Sequence, residues 1–122
     1  MSATNPELDA VNQFQGQAGA GPVVMVNLVR FHSPEAWQRF SEEMPPIVGP
    51  ILEALGAEVI YTGAAGPEFN VDVRWDLVLI VRYPSFEGFR SLITHPRWAE
   101  AGRAIRDETI ADSRLLLTTP LG

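Results

Sequence analysis

The chain has 122 residues, the length of one ordinary domain, and 46% of them are hydrophobic, which is enough for a buried core. Its net charge is −6, with 15 acidic residues against nine basic ones that are all arginine, so nucleic acid and anionic membrane surfaces are disfavoured as partners. It contains no cysteine, which excludes disulfides, thiol nucleophiles and thiolate metal sites.

Residues 1–21 are predicted to form an N-terminal arm with one short helix, ahead of a single domain over residues 22–122. Asn5 and Pro6 are typical of a helix start, and the predicted helix covers 6–15. The arm lacks the basic start and apolar stretch of a secretory signal. No apolar run reaches the roughly 18 residues that a membrane helix needs, so we expect a cytoplasmic protein without a membrane segment.

Four strands are predicted from runs rich in β-branched and aromatic residues that end at proline, glycine or serine. These strands are Val23–Phe31, 57–63, 75–83 and 114–119. Residues 64–74 predict a loop, because glycine, proline and asparagine interrupt the pattern there.

Helices are predicted between the strands. Ser33 caps the first, which has apolar residues every three or four positions. Pro45 and Pro46 cannot donate to the preceding turn, so we expect this helix to stop near residue 43 and a shorter one to end at Gly56. Ser85 caps another helix, and a further one begins after Pro96.

The order β-α-β-β-α-β predicts an α+β, ferredoxin-like fold, with a four-stranded antiparallel sheet and helices on one face. The other face of the first strand is also apolar at its centre, with Val24, Val26 and Leu28. A sheet face in water should be mostly polar, so we predict a homodimer that pairs these faces. The alternative is a monomer whose N-terminal arm covers that face.

Three segments carry a resemblance to a known family. The opening strand from Pro22 to Phe31, the turn Tyr83-Pro84-Ser85-Phe86-Glu87, and Arg106 followed by Asp112-Ser113-Arg114 resemble the uncharacterised DUF1330-type proteins of the dimeric α+β barrel superfamily. The resemblance implies a dimeric barrel and assigns no catalytic residue. The wider superfamily includes cofactor-independent monooxygenases, lactone isomerases, haem-degrading enzymes and ligand binders, so the fold does not decide the function.

Asn27 is the main candidate for chemistry, because it lies mid-strand on a face otherwise made of Val, Met and Phe. A buried amide needs hydrogen-bond partners. Asn27 therefore either holds a substrate carbonyl or enolate, or bonds to backbone; the sequence leaves both open. Strand alternation and helix position place six aromatic residues beside it, as a ligand pocket or as ordinary core: Tyr61, Trp75, Tyr83, Trp37, Phe40 and Trp98.

Weaker candidates are His32, His95 and Arg106. Either histidine can act as a base near neutral pH, but His32 lies at a strand end and His95 at a helix start, where structural roles suffice. Arg106 is a candidate site residue only because of the resemblance. The spacing of the two histidines predicts no metal site. No glycine motif for nucleotide binding is present either, so no cofactor is expected.

Arg30 and Arg82 are predicted to lie on the same face of the sheet as Asp76. This arrangement indicates either an anion site or, as we prefer, ion pairing. The function indicated by these residues is a small cofactor-independent enzyme, of the monooxygenase or isomerase type, acting on an apolar or aromatic molecule. The alternatives are a non-catalytic ligand-binding dimer and a structural dimer with a solid core.

Overall fold

The structure, a computed structural model, describes residues 5–15 and 17–121. Its helices are α1 Leu8–Gln15, α2 Pro34–Leu55, α3 Phe86–Ile93, a π-helical turn Trp98–Gly102, and α4 Arg103–Thr109. Its strands are β1 Val23–Phe31, β2 Glu58–Ala64, β3 Pro67–Glu68, β4 Val73–Arg74, β5 Leu77–Tyr83 and β6 Ile110–Thr118. No helix in this part of the chain has the length and hydropathy to span a membrane.

The main sheet has the strand order β2-β5-β1-β6, and all its neighbours are antiparallel. This arrangement confirms the predicted α+β, ferredoxin-like fold. The region predicted as a loop, 64–74, contains a small hairpin of β3 and β4. The last strand begins at Ile110, four residues before its predicted start, because α4 ends at Thr109 and passes directly into it.

Helix α2 is continuous, so the predicted break at Pro45 and Pro46 is wrong. Proline has a helix-compatible φ, and its cost is the lost donor and the clash with the preceding turn. Both prolines lie on the exposed side, where water can solvate the freed carbonyls. On the opposite side Met44, Ile47 and Ile51 are buried, and this apolar stripe holds the helix against the sheet.

Substitution of alanine for two glycines of this region is expected to change the free energy of unfolding in opposite directions. Gly56 ends α2 with φ 70, a left-handed conformation, so Gly56→Ala is expected to lower the free energy of unfolding by about 1–2 kcal/mol. Gly49 lies within α2 and has open space where a Cβ would go, so Gly49→Ala is expected to raise it by about 0.5–1 kcal/mol. Urea unfolding measures both, and a shift of the same sign in the two variants would contradict this account.

The core lies between the sheet and the helices. Along β1 the buried residues alternate, with Val23, Met25, Val29 and Phe31 facing the helices. Helix α1 packs on α3, where the Phe14 and Phe86 rings meet edge to face at 5.0 Å. The described part of the N-terminal arm therefore lies on the helix side and leaves the opposite sheet face uncovered.

Candidate functional site

A cavity of about 420 Å³ separates the helix-covered face of the sheet from α2, α3 and the π-helical turn. Its wall is mostly apolar. From the sheet come Met25, Asn27, Val59, Thr62, Leu77, Leu79, Val81, Tyr83 and Leu115. From the helices and the arm come Pro6, Phe40, Ser41, Met44, Pro45, Val48, Gly49, Leu52, Phe89, Leu92, Ile93, Trp98 and Arg106. Ser41, Pro45 and Gly49 are exposed and place the mouth along one side of α2.

Asn27 lies in the sheet wall of this cavity, at the centre of β1. Its Nδ2 donates to the backbone oxygen of Leu79 on the neighbouring strand at 3.0 Å, which fixes the amide across the β1–β5 pair. Its Oδ1 accepts no hydrogen bond from any described residue. The Asn27 amide therefore bonds to backbone, which is one of the two roles considered from the sequence, and it also lines the cavity.

Tyr83 ends β5 and is buried, with its ring edge to face with Phe89 at 5.6 Å. Burial raises the pKa of the Tyr83 phenol well above its ordinary value, and the positive charge of Arg106 opposes part of that rise. The phenol is neutral at physiological pH. It can donate a hydrogen bond to a ligand, but it cannot serve as a base.

Arg106 enters the wall from α4. Burial lowers the pKa of its guanidinium to about 10, while Asp107 and Tyr83 act in the opposite direction, so Arg106 stays charged at neutral pH. Its Nε donates to Oδ1 of Asn5 at 3.1 Å, and Nδ2 of Asn5 donates to Oδ1 of Asp107 at 2.6 Å. These bonds tie the N-terminal arm to the cavity wall, next to Pro6.

Tyr61 lies outside the cavity, and its predicted position on the helix-covered face is wrong. Val59 pairs with Val81, but Tyr61 pairs with Ile80, so Ile60 is an extra residue in a bulge of β2. A bulge shifts the alternation by one residue and moves every later side chain to the other face. Tyr61 is consequently on the uncovered face, where 53% of it is exposed.

Trp75 also lies outside the cavity, because it precedes the regular pairing of β5 and the alternation does not extend to it. It is buried beneath two arginines of the uncovered face, with the guanidinium carbons of Arg114 and Arg30 at 5.3 and 5.9 Å from its ring centroid. Both arginines also pair with the buried Asp112, at 3.4 and 3.8 Å. Arg30 thus forms an ion pair with Asp112.

The Asp76 carboxylate, the other group considered for the anion site, has a different role. Its Oδ2 accepts a hydrogen bond from the backbone N–H of Phe31 at 2.9 Å, which joins the end of β1 to the residue before β5. Asp76 therefore stabilises one end of the two central strands and does not join the Arg30 pair.

Of the two helical tryptophans, Trp98 lines the cavity and Trp37 does not. Trp37 stacks on Phe31 at 5.6 Å in a second apolar cluster near the other end of the sheet. Neither histidine reaches the cavity. His32 is exposed, and Nδ1 of His95 accepts a hydrogen bond from the backbone N–H of Arg97 at 3.1 Å, which caps the following turn.

The structure thus brings Asn27, Tyr83, Trp98 and Arg106 together around one cavity. Met44 and Val48 belong to the same wall, and the spacing of four residues along α2 was their signal in the sequence. Within residues 5–15 and 17–121, no three His, Cys, Asp or Glu side chains are grouped so that they could hold a metal ion.

Comparison with known proteins gives structural neighbours only. No protein-family model and no curated protein matches the chain. A protein of unknown function from Rhodopseudomonas palustris has a similar structure, with a TM-score of 0.86 and 29% identity over 100% of this chain and 99% of its own. Two other chains share the fold, both described as having a ferredoxin-like fold.

The first is a dabb family protein from Mesorhizobium loti, with a TM-score of 0.63 and 11% identity over 84% of this chain and 99% of its own. The second is a dimeric protein of unknown function from Bacteroides fragilis, with a TM-score of 0.55 and 16% identity over 80% of this chain and 95% of its own. The class that fold and comparisons define is a small α+β protein of the ferredoxin-like fold.

Proposed function

We propose that this protein binds a small apolar or aromatic molecule in the cavity between its sheet and its helices. The observation that supports this most directly is the cavity itself, since about 420 Å³ lies within the range of about 300–1,000 Å³ that is typical of ligand sites. Such sites are mostly apolar with a few polar groups that orient the ligand. Asn27, Tyr83 and Arg106 supply those groups here. A structural dimer with a solid core is not expected to contain a cavity of this size.

A catalytic role is the second candidate, and the grouping of a cation, a phenol donor and an amide supports it. The Arg106 guanidinium, the Tyr83 phenol and the second N–H of the Asn27 amide are donors, and together they can hold a carbonyl oxygen while negative charge develops on it, as in isomerisation through an enolate. In that reaction a proton leaves the carbon beside the carbonyl and another returns at a different carbon, so no oxidant is consumed. A monooxygenase would instead take dioxygen as a co-substrate, and the substrate itself would supply the two electrons that reduce the second oxygen atom to water. Neither type needs a cofactor.

The described cavity wall contains no His, Asp or Glu side chain, so a proton leaving the substrate would pass to water. General base catalysis contributes on the order of 10²–10⁴-fold where a positioned side chain supplies it. The wall therefore fits binding better than fast proton transfer. Ligand binding is for this reason the main proposal, and cofactor-independent catalysis the alternative.

Substitution of Asn27 separates the two candidates. If the protein only binds, Asn27→Ala is expected to weaken binding of an aromatic carbonyl ligand by about tenfold, the value of one lost hydrogen bond. If it is an enzyme, the same change is expected to lower kcat far more than it raises KM. Thr62→Ala, on the same wall, is the matched control. If Asn27→Ala changes neither the ligand affinity nor kcat, Asn27 does not belong to the functional site.

A thermal-shift screen tests the binding proposal itself. Aromatic carbonyl compounds at about 100 times their Kd are expected to stabilise the protein by about 2.7 kcal/mol. Val48→Trp, which places a large ring at the cavity wall, is expected to abolish the shift. Leu121→Trp, at an exposed position, is the control and should keep it. Equal shifts in both variants would show that the ligand binds elsewhere.

We further propose that two copies pair through the sheet face that the helices leave uncovered. Its centre is apolar, with Val26, Ile80 and Leu116 side by side on three strands. The arm does not cover it, since α1 packs on α3. The similar protein from Bacteroides fragilis is described as dimeric. Together with the resemblance of 22–31 to DUF1330-type proteins, this supports a dimeric α+β barrel.

A further inference from the structure

Helix α2 has three prolines in its interior, Pro45, Pro46 and Pro50. Proline is the least favourable residue there, because it has no N–H and its ring clashes with the preceding turn. Pro46 and Pro50 are exposed and do not line the cavity. Pro45 differs from them, since it lies at the mouth of the cavity together with Ser41, one turn earlier. An unfavourable residue is thus present at the entrance to the candidate site.

The two consecutive prolines leave the backbone oxygen of Ser41 without an α-helical or π-helical donor. In an α-helix this oxygen would accept from the N–H of residue 45, and in a π-helical turn from that of residue 46. Both residues are proline, so neither N–H exists. The ring of Pro45 also pushes the Ser41 carbonyl outward from its regular position. Because Ser41 and Pro45 both line the mouth, the freed oxygen lies there.

The side chain of Ser41 adds a second polar group at the same place. Its hydroxyl forms no hydrogen bond with any residue that the structure describes. The neighbouring wall positions Met44, Val48 and Gly49 offer no polar side chain. A ligand that fills the mouth excludes water from the Ser41 oxygen, and a buried acceptor without a partner is costly. Such a ligand therefore has to supply a hydrogen-bond donor at this point.

We propose that the mouth of the cavity is a subsite for a hydroxyl group of the ligand, formed by the backbone oxygen and the side-chain hydroxyl of Ser41. This inference rests on the proposed function and narrows it to an aromatic or apolar ligand with a hydroxyl at the end that faces the mouth. A hydroxyl can donate to the Ser41 oxygen and accept from Ser41 Oγ, whereas an ether cannot donate and an ammonium cannot accept. Pro45 and Pro46 determine this specificity, because they keep the carbonyl free of helix donors.

Restoring the helix donor tests the inference. Pro45→Ala returns an N–H that can bond to the Ser41 oxygen, and it leaves the Ser41 side chain in place. Isothermal titration calorimetry compares 6-hydroxy-2-naphthamide with 2-naphthamide, which share one aromatic body and differ by one hydroxyl. The unaltered protein is expected to bind the hydroxyl compound about fivefold to tenfold more tightly, the value of one hydrogen bond. Pro45→Ala should lose most of this preference and bind 2-naphthamide as before.

Pro50→Ala is the matched control, because it also returns an N–H to the interior of α2 but lies outside the cavity wall. Both variants are expected to raise the midpoint of urea unfolding, and Pro50→Ala should keep the full preference. Equal binding of the two probes by the unaltered protein would overturn the inference and leave the cavity as a ligand site. A preference that persists in Pro45→Ala would also overturn it. Binding of neither probe would count against the proposed function itself, and the subsite would fall with it.

Discussion

Leu116→Asp is expected to abolish the proposed pairing of two copies through the uncovered sheet face. Leu116 lies on β6 beside Val26, at the centre of the uncovered sheet face, and 61% of it is exposed in the single chain. Aspartate at such a position costs the isolated chain little. In a paired sheet the carboxylate would be buried without a partner, at a cost of about 3–5 kcal/mol. The dimer dissociation constant should rise by about a hundredfold or more.

Sedimentation velocity over a dilution series measures this change. Leu121→Asp is the matched control, because Leu121 is fully exposed and lies beyond the end of β6. It should sediment as the unaltered protein does. A Leu116→Asp variant that remains dimeric would show that pairing uses another surface. If the unaltered protein is monomeric at every concentration of the series, the proposed sheet pairing is wrong.

Ile110→Ala is expected to produce the largest loss of stability within one chain. Ile110 begins β6 directly after α4, is 1% exposed, and packs with Val29, Phe31 and Ile105. Truncating a fully buried isoleucine leaves a cavity and costs about 2–5 kcal/mol. The adjoining Thr109 is also buried, and its Oγ1 donates to the backbone oxygen of Ile105 at 2.7 Å, so this junction cannot relax easily.

Chemical denaturation monitored by tryptophan fluorescence measures the loss, with Leu121→Ala as an exposed control that should change the free energy of unfolding by less than about 0.5 kcal/mol. Since the same junction positions α4 and Arg106 in the cavity wall, ligand binding by Ile110→Ala should weaken as well. A loss below about 1 kcal/mol would mean that the surroundings of Ile110 collapse onto the smaller side chain.

The strands and their order followed from the sequence, because β-branched runs ending at proline and glycine are local signals. Alternation also identified the helix-facing residues of β1. It failed at Tyr61, where a one-residue bulge reverses the faces, and at Trp75, which stands outside the paired strand. Neither event leaves a mark in the apolar pattern, since both depend on how two strands meet.

The cavity, in contrast, could not be predicted from the sequence. Periodicity indicates which side chains point inward, but not whether the space between them is filled, because that depends on the separation of α2 from the sheet. The continuity of α2 through Pro45 and Pro46 has the same origin, since tertiary packing of Met44 and Ile47 overrides a local helix-breaking signal. Arg106 was indicated only by the resemblance, and its charge at the cavity wall became evident from the structure.

Methyl NMR of protein labelled with ¹³C at the methionine ε-carbons tests the central claim, that this cavity is the ligand site. Met25 and Met44 lie in opposite walls, one on β1 and one on α2, and Met→Leu variants assign their signals. On titration with 2-naphthamide, an aromatic carbonyl compound, both signals are predicted to shift together and to saturate at one ligand per chain. Calorimetric binding of 2-naphthamide with both signals unmoved would contradict the claim, because the ligand would then occupy another part of the molecule.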